Sequence, residues 1–123
     1  MGGGRRFRLE CMGENQVNRG DVYWYKFRQP DKERPVVVLT REASIPLLNA
    51  VVVAATTTTL HRAPSEVIVG PEDGLPSTCA VNLHHIHYAK KDRFGKWITR
   101  LSKNRMAQIR EAVMFSLQLG GRE

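Results

Sequence analysis

The feature that most narrows the possible folds is the run Ala50-Val-Val-Val-Ala-Ala-Thr-Thr-Thr58, the longest β-branched stretch in the chain. Branching at Cβ restricts a side chain in a helix and suits it to a pleated sheet. The run is therefore expected to form a central strand. Other segments support it. Asp21-Val-Tyr-Trp-Tyr-Lys-Phe27 is aromatic and β-branched and predicts a first strand. Pro35-Val-Val-Val-Leu-Thr-Arg41 is a short, nearly continuous apolar run and predicts a buried one. Ser65-Glu-Val-Ile-Val69 alternates polar and apolar. Cys79 to Tyr88 reads as a strand pair or one bent strand, and Trp97-Ile-Thr-Arg-Leu101 as the last strand. A polar loop at 28–34 with Pro30, a brief turn at Ile45–Leu48, a basic loop at His61-Arg62 and the turn cluster Gly70-Pro-Glu-Asp-Gly-Leu-Pro76 punctuate the series.

After the last strand the period changes. Met106, Ile109, Val113 and Leu117 recur at three-to-four spacing and make one apolar stripe on a helix. Ser102 is placed to cap its start, with Arg105 standing where a capping box has an acid, and Gly120-Gly121 to end it. About six short strands followed by one helix predict a mainly β fold with a C-terminal helix, a small barrel-like sheet with the helix packed on it.

The length, 123 residues, suits one domain. Residues 1–18, rich in Gly, Arg and small polar types, read as a mobile tail ahead of a domain at 19–121. Such a chain buries only about two thirds of its unfolded surface, which favours association with a partner or a second copy. The formal net charge is +7. Lys90, Lys91, Arg93, Lys96, Arg100, Lys103, Arg105 and Arg110 face a single acid, Asp92, within that stretch, and the remaining 11 basic and 11 acidic residues cancel. The whole excess thus sits in 21 residues. That clustering favours a polyanion or an acidic protein over a merely solvated face.

Cys11 and Cys79 make no disulfide framework, and no Cys/His spacing suggests zinc. No apolar run approaches the roughly 20 residues that span a bilayer. The basic start has no apolar segment behind it and is not a secretion signal. A cytoplasmic protein with free thiols and no membrane contact is expected.

Taken in order, Gly20-Asp-Val-Tyr-Trp24, Arg34-Pro-Val-Val-Val-Leu39, Val51-Val-Val-Ala-Ala-Thr-Thr57, Glu66-Val67, Gly74-Leu-Pro76, Ala80-Val-Asn82 and Ile98-Thr-Arg-Leu-Ser102 resemble the MazF/PemK toxins. The likeness runs from about Gly20 to Gly120. It implies a small SH3-like barrel of the CcdB/PemK kind with a C-terminal helix. It also implies a homodimer and a cognate antitoxin whose acidic tail covers the RNA site. The implied activity is sequence-specific, metal-independent cleavage of single-stranded RNA, leaving a 2′,3′-cyclic phosphate and a 5′-hydroxyl, with no cofactor.

Such cleavage needs a base for the 2′-hydroxyl, a cation or donor for the charge on phosphorus, and an acid for the leaving oxygen. Arg34 ends a polar loop and starts a buried strand, and guanidinium matches phosphate with paired donors. The resemblance makes Arg34 catalytic. It gives Thr57 the same standing, because the family carries a Thr or Ser there. Four threonines, Thr56 to Thr59, leave that choice open by one residue: Thr57 and Thr59 share one strand face, Thr56 and Thr58 the other. After Ala80-Val-Asn82-Leu the family often carries an acid and an Asn or Gln, where this chain has His84-His85, with His87 two residues on. His85 and His87 are expected to share a face. A neutral imidazole there is a candidate for the missing base, for RNA contact or for a surface role. His61, Arg62, His84, His85 and Lys90 are expected to contact RNA. Tyr23, Trp24 and Tyr25 are expected in the core or on a dimer surface, with base stacking as the other use. Asn82 reads as structural or site-lining.

Two other functions compete. A related barrel serves toxins that inhibit DNA gyrase without catalysis, acting through the C-terminal helix. A plain RNA-binding module is the third. The presence of both Arg34 and Thr57 favours cleavage.

Overall fold

The computed structural model describes residues 16–27 and 33–118. The β-branched runs become strands of one antiparallel sheet. They are β1 (Asp21–Lys26), β2 (Glu33–Val38), β3 (Ala50–Thr57), β4 (Glu66–Val69), β5 (Cys79–Lys90) and β6 (Phe94–Arg100), in the order β4-β5-β3-β2-β1-β6. One helix follows, α1 (Lys103–Ser116). The expected mainly β fold with a C-terminal helix is borne out, and β3 lies inside the sheet as its composition demands.

Alternation splits each central strand between two cores. Val22, Val37, Ala54 and Val81 face Ile109 and Ala112 of α1. Tyr23, Val36, Val38 and Val53 face Ile45, Val17 and Phe94 on the other side. With both faces covered, residues 36–38 of β2 and 50–55 of β3 have no polar face, which is why those stretches read as unbroken apolar runs. The short 3₁₀ stretch Glu42–Leu47 sets Ile45 over this second core.

The sheet curls because its two ends are tied together. The turn after β4 reaches across to β6, where the Thr99 hydroxyl donates to the Asp73 carbonyl at 3.1 Å. Gly74 abuts the same threonine in a left-handed conformation, φ +96°. The Asp73 carboxylate accepts from the Gly70 amide at 3.0 Å and from Arg105 Nε at 2.9 Å, joining the turn to the first turn of α1. The result is a curled half-barrel. Burial pushes the Asp73 carboxyl upward, but the Arg105 hydrogen bond, the Gly70 amide and the Arg105 charge together hold it below the usual carboxylate range. That contribution to stability is present above the ordinary carboxylate pKa and is lost as pH falls through the lowered one.

A second tie links β1 to β6. Asp21 is only 1% exposed, and it accepts from Arg100 Nε at 2.9 Å, Trp97 Nε1 at 3.2 Å and the Asn18 amide at 2.9 Å.

Several boundaries differ from the expectation. β5 is one bent strand that continues to Lys90. Its pairing with β3 slips between Ala54 and Thr56, where residues 82–85 bulge. β2 begins two residues early, at Glu33, and stops at Val38. β6 begins at Phe94, whose ring stacks on Tyr23 at 4.7 Å and so prolongs the strand towards the second core. Val17 is already buried in that core, so ordered packing starts inside the stretch read as a tail. Residues 1–15 lie outside the described residues, as does Gly120-Gly121, the expected helix stop.

The Ser102 hydroxyl accepts from the Arg105 amide at 3.1 Å, so the cap forms as expected. Ser102→Ala is expected to lower stability by about 1 kcal/mol, readable as a shift of the thermal midpoint. Of the apolar stripe, Ile109 is buried and Met106 and Val113 pack against the core, but Leu117 is exposed.

Candidate active site

The pairing of β2 with β3 aligns Val36 with Ala55 and Val38 with Val53. Carried two residues further, that register sets Pro35 against Thr56 and Arg34 against Thr57. A side-chain bond fixes it: the Thr56 hydroxyl donates to the Pro35 carbonyl at 2.8 Å. Thr56 is thereby buried and committed to structure. Thr57, one residue on, is half-exposed, and its hydroxyl oxygen accepts from the Thr59 amide at 3.2 Å, leaving the hydroxyl proton free to be donated. The two neighbouring threonines therefore stand in different surroundings, Thr56 buried and Thr57 half-exposed.

Arg34 and Thr57 line one groove of about 400 Å³. Its walls come from three places: Trp24 of β1 with Glu33 to Pro35 of β2, the end of β3 from Thr56 to Thr59, and the segment Leu75 to Ser77 with Cys79. Arg34 makes one long bond, from Nη1 to the Thr56 carbonyl at 3.5 Å. Its other donors have no partner among the described residues. Guanidinium and hydroxyl thus stand on neighbouring strands, facing a common space, with donors to spare for the oxygens of a phosphate. The tying of the 70–78 turn to β6 holds the far wall in place.

The other expected contacts are not in this groove. Arg62 adopts φ +56°, its amide and that of His61 both held by Glu66 Oε1, and it lines a separate depression between β4 and α1. His84 and His85 sit exposed on the β5 bulge, the His84 amide bonded to Asn82 Oδ1 at 2.9 Å. His85 and His87 do share a face, their rings 6.4 Å apart. His87 packs on Phe27 at 4.9 Å. Burial lowers its pKa, helped by the charge of His85. His87, Tyr25, Phe27, Tyr88, Lys90 and Arg93 line a third depression of about 590 Å³. The histidines therefore stand apart from Arg34 and Thr57. Among the described residues no group of three or more His, Cys, Asp or Glu could hold a metal ion.

The basic stretch also divides. Lys91 Nζ is bound to the Ile45 carbonyl at 2.7 Å, Arg100 to Asp21, and Arg105 to Asp73 and Gln108. Those cations hold the fold. Lys90, Arg93, Lys96, Lys103 and Arg110 have no acid partner among the described residues. Tyr23 and Tyr25 are core, and burial pushes the Tyr23 hydroxyl up to about 12, with the Asp21 charge adding to the rise. Trp24, between them, turns to the groove. The groove side chains that sequence reasoning passed over, Glu33 and Ser77 above all, lie in polar loop or turn composition with no periodic signal.

A profile of the PemK-like, MazF-like toxins of type II toxin–antitoxin systems matches residues 18–117. The chain belongs to this toxin family. Among curated MazF proteins, probable endoribonuclease MazF5 of Mycobacterium tuberculosis is 38% identical over 92 residues, spanning 74% of this chain and 84% of that protein. Among solved structures, the M. tuberculosis toxin MazF-mt6 superposes with a TM-score of 0.74 at 29% identity, covering 82% of this chain and 99% of that one. A mycobacterial endoribonuclease in complex with its cognate antitoxin gives 0.75 at 25% identity, covering 86% and 99%. The groove between β2 and β3 of this MazF-like toxin is built within the matched residues. No helix is long and apolar enough to cross a membrane among the described residues.

Proposed function

We propose that this MazF-like toxin is an endoribonuclease that cuts single-stranded RNA in the Arg34–Thr57 groove. The 2′-hydroxyl attacks the adjacent phosphorus, leaving a 2′,3′-cyclic phosphate and a 5′-hydroxyl. The observation that carries this reading is that Arg34 of β2 and Thr57 of β3 line one groove. Arg34 neutralises the charge that builds on the phosphorane oxygens, and the Thr57 hydroxyl holds one of them by donation. Neither role requires a metal. Endoribonuclease relatives at 38% identity support the same activity.

RNA beyond the cut has surfaces to follow. The third depression offers Lys90 and Arg93 for phosphate and Tyr88 for stacking, a combination suited to unpaired bases. His61, Arg62, His84 and His85 are exposed contacts on either side. The cytoplasm, where RNA lies, is the proposed compartment. The antitoxin-bound mycobacterial neighbour supports regulation by a cognate antitoxin. An acidic tail fits the same cationic surface, and a homodimer is the proposed working form.

The test is a long single-stranded RNA incubated with pure protein in EDTA. Discrete fragments with cyclic-phosphate 3′ ends are expected. Intact RNA would overturn the proposal, and intact RNA with arrested gyrase would point to the non-catalytic toxins. Binding of an uncleavable RNA is expected to weaken by about three orders of magnitude for a tenfold rise in salt, if four to five phosphates are neutralised. A flat response would remove the cationic surface from the RNA path.

A further inference from the structure

Attack by a 2′-hydroxyl needs a proton acceptor beside it, and the groove holds few. We infer that Glu33 is that acceptor. The inference rests on the cleavage reading above and names the residue that reading leaves open.

Glu33 is the first residue of β2 and lines the groove with Arg34 and Thr57. Hydroxyl groups are poor bases unaided, and guanidinium stays protonated at every working pH. Cys79 is buried, and that burial pushes its thiol up and keeps it neutral. The histidines stand outside the groove. Among the described residues lining the groove, the Glu33 carboxylate is the one remaining side-chain base. The charge argument points the same way. An anion in a groove for a polyanion opposes binding. Glu33 has no ion pair or side-chain hydrogen bond among the described residues that would give it a structural use. Glu33 and Arg34 both line the groove at the end of β2, and no hydrogen bond or ion pair joins them among the described residues, so the carboxylate is not neutralised by its neighbour.

In the step, the 2′-hydroxyl proton passes to the Glu33 carboxylate as the P–O2′ bond forms. The P–O5′ bond breaks with its electron pair on the 5′-oxygen, which takes a proton from water. The carboxylic acid then returns its proton to solvent.

Glu33→Gln keeps the size and polarity of the side chain and removes both base and charge. The single-turnover cutting rate is expected to fall about 10²- to 10⁴-fold. Affinity for an RNA carrying a 2′-deoxy nucleotide at the cut site is expected to hold or rise. The parent's rate is expected to fall in acid, and the variant's residual rate to lose that dependence. Glu33→Asp, which moves the carboxylate back by one methylene, is expected to cut slowly and keep it. Parental cutting by Glu33→Gln, with the same acid limb, overturns the inference. Should Arg34→Ala then still be inactive, the groove stands and only the base is misassigned. A parent that leaves RNA whole overturns both readings together.

Discussion

Arg34→Ala is expected to reduce RNA cutting by about 10³-fold or more, with the fold intact. Removing one preorganised donor from a developing oxyanion costs about 10²–10³ in rate, and an arginine serving a phosphoryl transition state up to about 10⁵. Arg34 supplies both charge and a donor fork, so the loss belongs in the upper part of that span. Arg34→Lys keeps the charge but not the fork and is expected to fall between. Stability is expected to change little, because the guanidinium contributes only the 3.5 Å contact to the Thr56 carbonyl. The check is a single-turnover time course beside a thermal melt. Full activity in Arg34→Ala would mean that the reaction happens somewhere else.

The largest effect on stability is expected at Gly74. Its φ of +96° is a conformation that side chains with a Cβ rarely adopt. A Cβ there would lie 2.4 Å from Thr99 Oγ1 and 2.8 Å from Thr99 Cβ. Backbone strain of about 1–3 kcal/mol and overpacking of about 1–3 kcal/mol are expected to add in Gly74→Val. Against a total of about 5–15 kcal/mol, that lowers the midpoint by roughly 10–20 °C. Gly74→Asn separates the two contributions, since Asn tolerates the backbone but not the contact. An unchanged midpoint in Gly74→Val would show that the turn does not rest on β6.

What the sequence disclosed was the part set by near neighbours. The β-branched run of β3, the Ser102 cap and the common face of His85 and His87 depend on residues within a few positions, and each was legible. Which of Thr56 to Thr59 is tied into the fold was not, because a bond from Thr56 to Pro35 on another strand sets it. Asp21 looked like the polar start of a strand, yet it is buried among partners at 97 and 100, some eighty positions away. Val17 reads as tail until Tyr23 and Ile45 are seen beside it. The histidines kept their predicted alternation, but the slip in β5 after Val81 decides where that face points, and it is not towards Arg34. Glu33 was hidden because a polar loop is full of acids and bases whose use is fixed only by what folds opposite them.

Most connections at a protein surface accept extra residues without harm. The one between β4 and β5 is different. Its short arc is fastened to β6 through Thr99 and to α1 through Arg105, and its continuation supplies Leu75 and Ser77 to the groove. A single added residue would put these attachments out of step with one another. Among relatives of this chain, length variation is therefore expected to gather in the span from Thr58 to Pro64, leaving the arc at 70–74 constant in length.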